Sequence, residues 1–152
     1  MPPRAESLRA LRSGDTMTVR PIEVVGRHCA DSRRVQELLL SREAATMVAV
    51  ASHLSSVLQR GGTIYLCGNG GSAADAQHVA AELVGRFLRE RSPLPAVALT
   101  TNTSVLTAIG NDYDFSQIFA RQVRACTRAG DAVVGISTSG RSPNVLEAMA
   151  AA

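Results

Sequence analysis

The chain predicts an α/β fold of the doubly wound class, a parallel sheet with helices on both faces. Three observations carry that expectation. Residues 63–67, 96–100 and 132–137 are short, continuous apolar runs rather than alternating ones, as expected of strands buried on both sides. Stretches with helical spacing of apolar residues separate them. The first and third runs also end in small, hydroxyl-rich loops, Gly68-Asn69-Gly70-Gly71-Ser72 and Ser137-Thr138-Ser139-Gly140-Arg141-Ser142. Strand-to-helix turns of this kind are where open parallel sheets bind their ligands.

Taken in order, residues 1–30 show no sustained periodicity and read as a basic N-terminal extension, so the domain proper is expected over 31–152. A helix is expected over 31–60, because Met47, Val50, Leu54, Val57 and Leu58 recur at three- and four-residue spacing. Gly61-Gly62 ends it. The first strand and its glycine loop follow, then a helix over about 72–89 whose apolar sector is Ala76, Val79, Ala80, Leu83, Val84 and Phe87. Pro93 and Pro95 precede the second strand. Short helices are expected over 103–109 and 115–128, and Gly130-Asp131 turns the chain into the third strand. Ser142 suits an N-cap with Pro143 at the first helical position. The chain stops at Ala152 within this last helix after only three strands, and therefore reads as a domain incomplete at its C-terminus.

Composition excludes several classes of function. All 16 basic residues are arginine, which leaves no lysine for a Schiff base, a pyridoxal phosphate anchor or a Walker A loop. The net charge of +3 belongs to residues 1–42, where eight arginines face five acids; the rest of the chain is balanced at eight against eight. A balanced domain with two Tyr, three Phe and no Trp argues against a nucleic-acid partner. No apolar run approaches the ~20 residues of a membrane span. Three scattered cysteines, Cys29, Cys67 and Cys126, suit a reducing compartment, so the expected location is the cytoplasm. Cys67, at the end of a strand, is expected to be a buried small hydrophobe.

Two features carry candidate chemistry. Ser137, Thr138, Ser139 and Ser142 surround one glycine at a helix start, a setting that suits a phosphate-sized anion held without lysine. Taken alone, the same residues also read as an ordinary Ser-capped turn. On the helix after Ser72, a polar stripe of Asp75, His78, Glu82, Arg86 and Arg89 runs beside the apolar sector. His78 and Glu82, four apart, are neighbours on one face. They can share a divalent metal, or Glu82 can act as a general base; equally, they can be an exposed i,i+4 pair. Asn111-Asp112 after Gly110 reads as turn chemistry. His28 and His53 have no partner at ligand spacing.

The segments CGNGGSAADAQHVAAELVGRF, LPAVALTTNTSVLTAIGNDYDFSQIFARQV and GDAVVGISTSGRSPNVLEA, in this order and spacing, resemble the phosphoheptose isomerases of the SIS (sugar isomerase) superfamily. The likeness runs from about Gly61 to Ala150. It implies a flavodoxin-like (Rossmann-like) sheet and a homotetramer with active sites between subunits. It also implies conversion of sedoheptulose 7-phosphate to D-glycero-D-manno-heptose 7-phosphate through an enediol, the first step of nucleotide-activated heptose biosynthesis. By the same resemblance, Asn69, Gly70, Gly71 and Ser72 form the first substrate loop, and Asn111 and Asp112 add substrate contacts. Ser137, Thr138, Ser139 and Ser142 hold the phosphate. His78 and Glu82 bind one zinc ion per subunit, with Glu82 also the catalytic acid/base. Two departures stand out: Arg141 occupies a position where the family usually has Asn, and the further Gln and His of the family's C-terminal part have no counterpart among His28, His53 and His78. The rival expectations are a binding module like the paralogue that associates with the replication initiator, and an inactive remnant that still binds sugar phosphate. Glu82 and the intact GNGGS loop favour the enzyme over the first of these.

Overall fold

A computed structural model of the chain describes residues 20–152; residues 1–19, most of the expected extension, lie outside the described residues. The chain divides into two compact units, one ending at Val48 and the other covering Ala49–Ala152. Among the described residues the first unit consists of helix α1 (Pro21–Gln59), which continues into the second. This helix starts ten residues earlier than the expected position 31. Pro21 at its first position and Glu23 in its first turn both suit a helix N-terminus, a local signal that apolar periodicity does not register.

The second unit holds the sheet. Its elements are β1 (Ile64–Gly68), α2 (Gly71–Val84), β2 (Ala96–Ala98), α3 (Thr103–Asp112), α4 (Gln117–Cys126), β3 (Ala132–Ile136) and α5 (Pro143–Ala151). The strands are parallel in the order β2-β1-β3, so β1 is central and the chain reverses its winding direction across it. This is the doubly wound architecture the apolar runs predict.

Alternation along β1 separates two cores. Ile64 and Leu66 point to one face, where they pack with Ala96, Ala98 and the α2 residues Ala76 and Ala80, joined by Leu54 and Leu58 of α1. Cys67 points to the other face, among Leu99, Ile118, Phe119, Val123, Val145 and Ala148. At the start of the sheet Asp131 ties β3 to β1: its carboxylate accepts from the backbone N–H of Thr63 and of Arg128, both at 2.8 Å.

Several boundaries differ from the expected ones. Helix α2 stops at Val84, not near position 89. Gly85 follows, and Arg91 folds back so that its guanidinium donates to the carbonyls of Glu82 at 2.7 Å and Leu83 at 2.8 Å. These bonds satisfy carbonyls that a continuing helix would otherwise have to pair. Arg86 and Arg89 therefore lie beyond the helix and leave the polar stripe, while Phe87 is exposed rather than part of the apolar sector. Val79 and Val84 are also exposed, so the buried face of α2 narrows to Ala76, Ala80 and half-buried Leu83. Helix α3 runs on to Asp112, placing Asn111 and Asp112 in its last turn instead of a loop. Gly110 lies inside this helix, where a Cβ would make only ordinary contacts with Ile118 and Phe115, and it does not end the helix. No helix among the described residues is long and apolar enough to cross a membrane.

Candidate functional site

The winding reversal leaves a crevice beyond the carboxyl ends of β1 and β3, the place where open α/β sheets bind ligands. Both candidate loops open into it. β1 ends at Gly68, where a Cβ would come within 2.7 Å of the Ser72 carbonyl oxygen and 2.9 Å of the Ile136 carbonyl oxygen. Only glycine lets α2 and β3 approach β1 this closely. Gly70 follows with φ of 55° and serves as the N-cap of α2. Ser72 thus lies inside the first turn rather than at the cap.

The second loop gathers its hydroxyls. Ser137 Oγ lies 3.0 Å from Ser142 Oγ and 3.4 Å from Ser139 Oγ, and Ser139 Oγ accepts from the backbone N–H of Arg141 at 3.1 Å. Ser142 is the N-cap of α5 with Pro143 next, but its hydroxyl makes no capping bond; it turns toward Ser137 instead. An ordinary Ser-capped turn would spend that hydroxyl on the helix. Thr138 is exposed beside this cluster. The arrangement gathers three hydroxyls beside a helix N-terminus, chemistry that suits a small anion.

The two loops are joined by a pair of amides. Asn69 Nδ2 donates to Asn144 Oδ1 at 2.8 Å, and Asn144 Nδ2 donates back to Asn69 Oδ1 at 2.8 Å. A cleft of about 290 Å³ opens here, walled by Asn69, Ser142, Pro143 and Asn144 on one side and by Asp114, Phe115 and Ser116 of the α3–α4 connection on the other. Asp114 accepts from the backbone N–H of Ser116 at 2.7 Å, and its bonds to Ser116 lower its pKa from the ordinary carboxylate value. Sequence reasoning missed Asn144 and the Asp114–Ser116 wall. The available signal for Asn144 was a polar residue in the first turn after Ser-Pro, where an apolar one would pack more simply.

Of the expected site residues Asn69 and Ser142 line this cleft, and Ser137 lines a neighbouring cavity that also reaches Ser142; His78, Glu82, Asn111 and Asp112 line neither. His78 and Glu82 lie seven and eleven residues into α2 from Gly71, roughly 10 and 16 Å along its axis. Their side chains face each other, His78 Nε2 to Glu82 Oε1 at 3.6 Å, with 74% of the His78 side chain exposed. Asn111 donates to the Asp112 carboxylate at 2.8 Å on the exposed end of α3. Among the described residues no group of three or more His, Cys, Asp or Glu side chains could hold a metal. His78 and Glu82 supply two of the three or four donors that zinc takes.

A parallel sheet wound in the order β2-β1-β3, with a hydroxyl-lined loop beside a glycine-rich one at its reversal point, defines a doubly wound α/β domain. Its sequence matches the SIS domain family over residues 27–152. Phosphoheptose isomerase of Desulfovibrio desulfuricans is 56% identical over 131 residues, covering 86% of this chain and 62% of that protein. The structure of phosphoheptose isomerase GmhA from Neisseria gonorrhoeae superposes with a TM-score of 0.81 at 51% identity, covering 87% of this chain and 68% of that one. The phosphoheptose isomerase structure from Francisella tularensis gives 0.84 at 36% identity, covering 88% and 70%. The chain belongs to the SIS domain family and, within it, to the phosphoheptose isomerases. It spans less than two thirds of the length of the first curated relatives it matches.

Proposed function

We propose that this chain acts in the conversion of sedoheptulose 7-phosphate to D-glycero-D-manno-heptose 7-phosphate. The observation that carries this reading is the convergence of Ser137, Ser139 and Ser142 at the reversal point, opposite the Asn69 loop and within a chain of this family. The hydroxyls and the α5 N-terminus hold the phosphate, whose charge needs no lysine there. Asn69, Gly70, Gly71 and Ser72 border the sugar, and Asn111 and Asp112 add contacts to its hydroxyls.

The reacting carbons lie at the other end of the substrate from its phosphate, so the acid/base group stands apart from the hydroxyl loop. Glu82 takes the proton from C1, the electron pair forms the C1–C2 double bond, and the C2 oxygen takes up a proton to give the enediol. Return of a proton to C2, with loss of the C1 hydroxyl proton, leaves the aldehyde. This acid–base chemistry rests on the Glu82 carboxylate. In keeping with the family, zinc is the metal we assign to His78 and Glu82, completed by donors beyond these two. A homotetramer in the cytoplasm, with sites between subunits, is the setting that brings α2 of one copy and the loops of another together.

The test is solvent exchange. Sedoheptulose 7-phosphate incubated with the protein in D2O should gain deuterium at C1 and yield the aldose, both followed by proton NMR. Absence of both exchange and sugar-phosphate binding would overturn the proposal; binding without exchange would reduce it to a sugar-phosphate-binding domain.

A further inference from the structure

The amide pair at the reversal point has a feature that hydrogen-bond satisfaction alone does not require. Asn144 is 2% exposed, while Asn69 is half-buried and lines the cleft. Each amide spends one N–H and one oxygen lone pair on the other, at 2.8 Å in both directions. That leaves Asn69 with a second N–H and a second lone pair on the side open to the cleft. An isolated asparagine on a glycine-rich loop would sample several rotamers, and ordering it on ligand binding would cost affinity. Reciprocal bonding to a side chain closed off from solvent fixes the plane of the Asn69 amide before any ligand arrives. Asn144 also follows Ser142 by two residues on the same rigid helix start, so the pair sets the spacing between the hydroxyl loop and the Asn69 loop.

We propose that Asn144 is a positioning residue for ligand binding, acting through Asn69. The proposal rests on the cleft being the sugar-phosphate site. It gives a polar residue deep in the first turn of α5 a purpose that an apolar side chain of similar size could not serve, since neither bond would form.

The test is a double-mutant cycle read by affinity for sedoheptulose 7-phosphate, together with the side-chain amide NMR signals of Asn69. Asn69→Ala and Asn144→Ala should each weaken binding by about 5- to 30-fold, and the double variant should be no weaker than either single one. In Asn144→Ala the Asn69 amide signals should collapse toward free-amide positions. Asn144→Asp keeps the size and one of the two bonds. It should shift those signals in a folded protein, which decides the matter if the alanine variant does not fold. A role confined to packing would lower the melting temperature and leave affinity and the Asn69 signals alone. Additive losses in the cycle, or unmoved Asn69 signals in either variant, overturn the proposal. A wild-type protein that binds no sedoheptulose 7-phosphate sinks the function proposed above, and the amide signals still decide whether Asn144 positions Asn69.

Discussion

Ser142 Oγ lies 3.0 Å from Ser137 Oγ across the mouth of the loop between β3 and α5. Ser142 occupies the N-cap position of α5 but directs its hydroxyl away from the helix backbone; the Val145 N–H donates to the Ser142 carbonyl at 3.0 Å instead, so the hydroxyl is left to the loop. The loop is thereby shaped for an acceptor-rich ligand, and its consequences are measurable.

Ser139→Ala should weaken binding of sedoheptulose 7-phosphate by about 1–3 kcal/mol, because one phosphate oxygen loses its hydroxyl partner in a site that excludes part of the water. Binding of unphosphorylated sedoheptulose should hardly change. Calorimetry on both ligands checks this, and equal losses would mean that the serines do not hold the phosphate.

Glu82→Gln preserves the size and hydrogen bonding of the side chain and removes the base. Turnover should fall by ~10²–10⁴-fold, with a much smaller change in substrate affinity. Near-normal deuterium exchange at C1 in this variant would place the proton transfer on another group.

Two glycines of the first loop should behave oppositely in thermal unfolding. In Gly68→Ala the new Cβ meets backbone oxygens at 2.7 and 2.9 Å, atoms that cannot move without separating α2 or β3 from β1. A loss of about 2–4 kcal/mol is expected. At Gly71 a Cβ meets nothing within 4 Å and the residue opens a helix, so Gly71→Ala should be neutral or slightly stabilising. Equal losses at both positions would contradict this account of the loop.

Cys67 is fully buried, and burial pushes its thiol up to about 11. It should resist alkylation in the native protein under conditions where exposed Cys126 reacts readily. Because the native state holds the proton more tightly than the unfolded chain, this group's contribution to stability is intact below the ordinary thiol pKa of 9.0. It is lost as pH rises toward about 11, a fall of about 2–3 kcal/mol. Cys67→Ala should show a shallower alkaline decline in denaturant melts than the wild type; identical declines would remove Cys67 from the account.

Much of this protein was legible in its residues. Continuous apolar runs specify strands, and helical spacing between them leaves few topologies besides a doubly wound sheet; burial on both faces holds for β1, whereas Val97 of β2 is exposed and β3 is at most half-buried. The strand ends came out within one or two residues, because Gly61-Gly62, Pro95 and Gly130-Asp131 interrupt the chain by local sterics alone. The hydroxyl loop was legible for the same reason: Ser, Gly and Pro act over a few residues, and Ser142-Pro143 names the helix start directly. The helix ends were harder. Nothing local says that Arg91 turns back to cap α2 at Glu82 and Leu83, or that α3 runs past Gly110 to hold Asn111 and Asp112.

What only the tertiary structure decided is which residues meet. His78 and Glu82 are adjacent because four residues make about one turn of helix, a relation that any helix enforces. Asn69 and Asn144 are 75 residues apart, and they face each other only because β1 and β3 are neighbours in parallel with Gly68 opposite Ile136. That register depends on two apolar cores packed on opposite faces of one strand, so it belongs to no single segment. The residues that form the site's chemistry can be read one loop at a time; the spacing that makes them a site is set by the sheet.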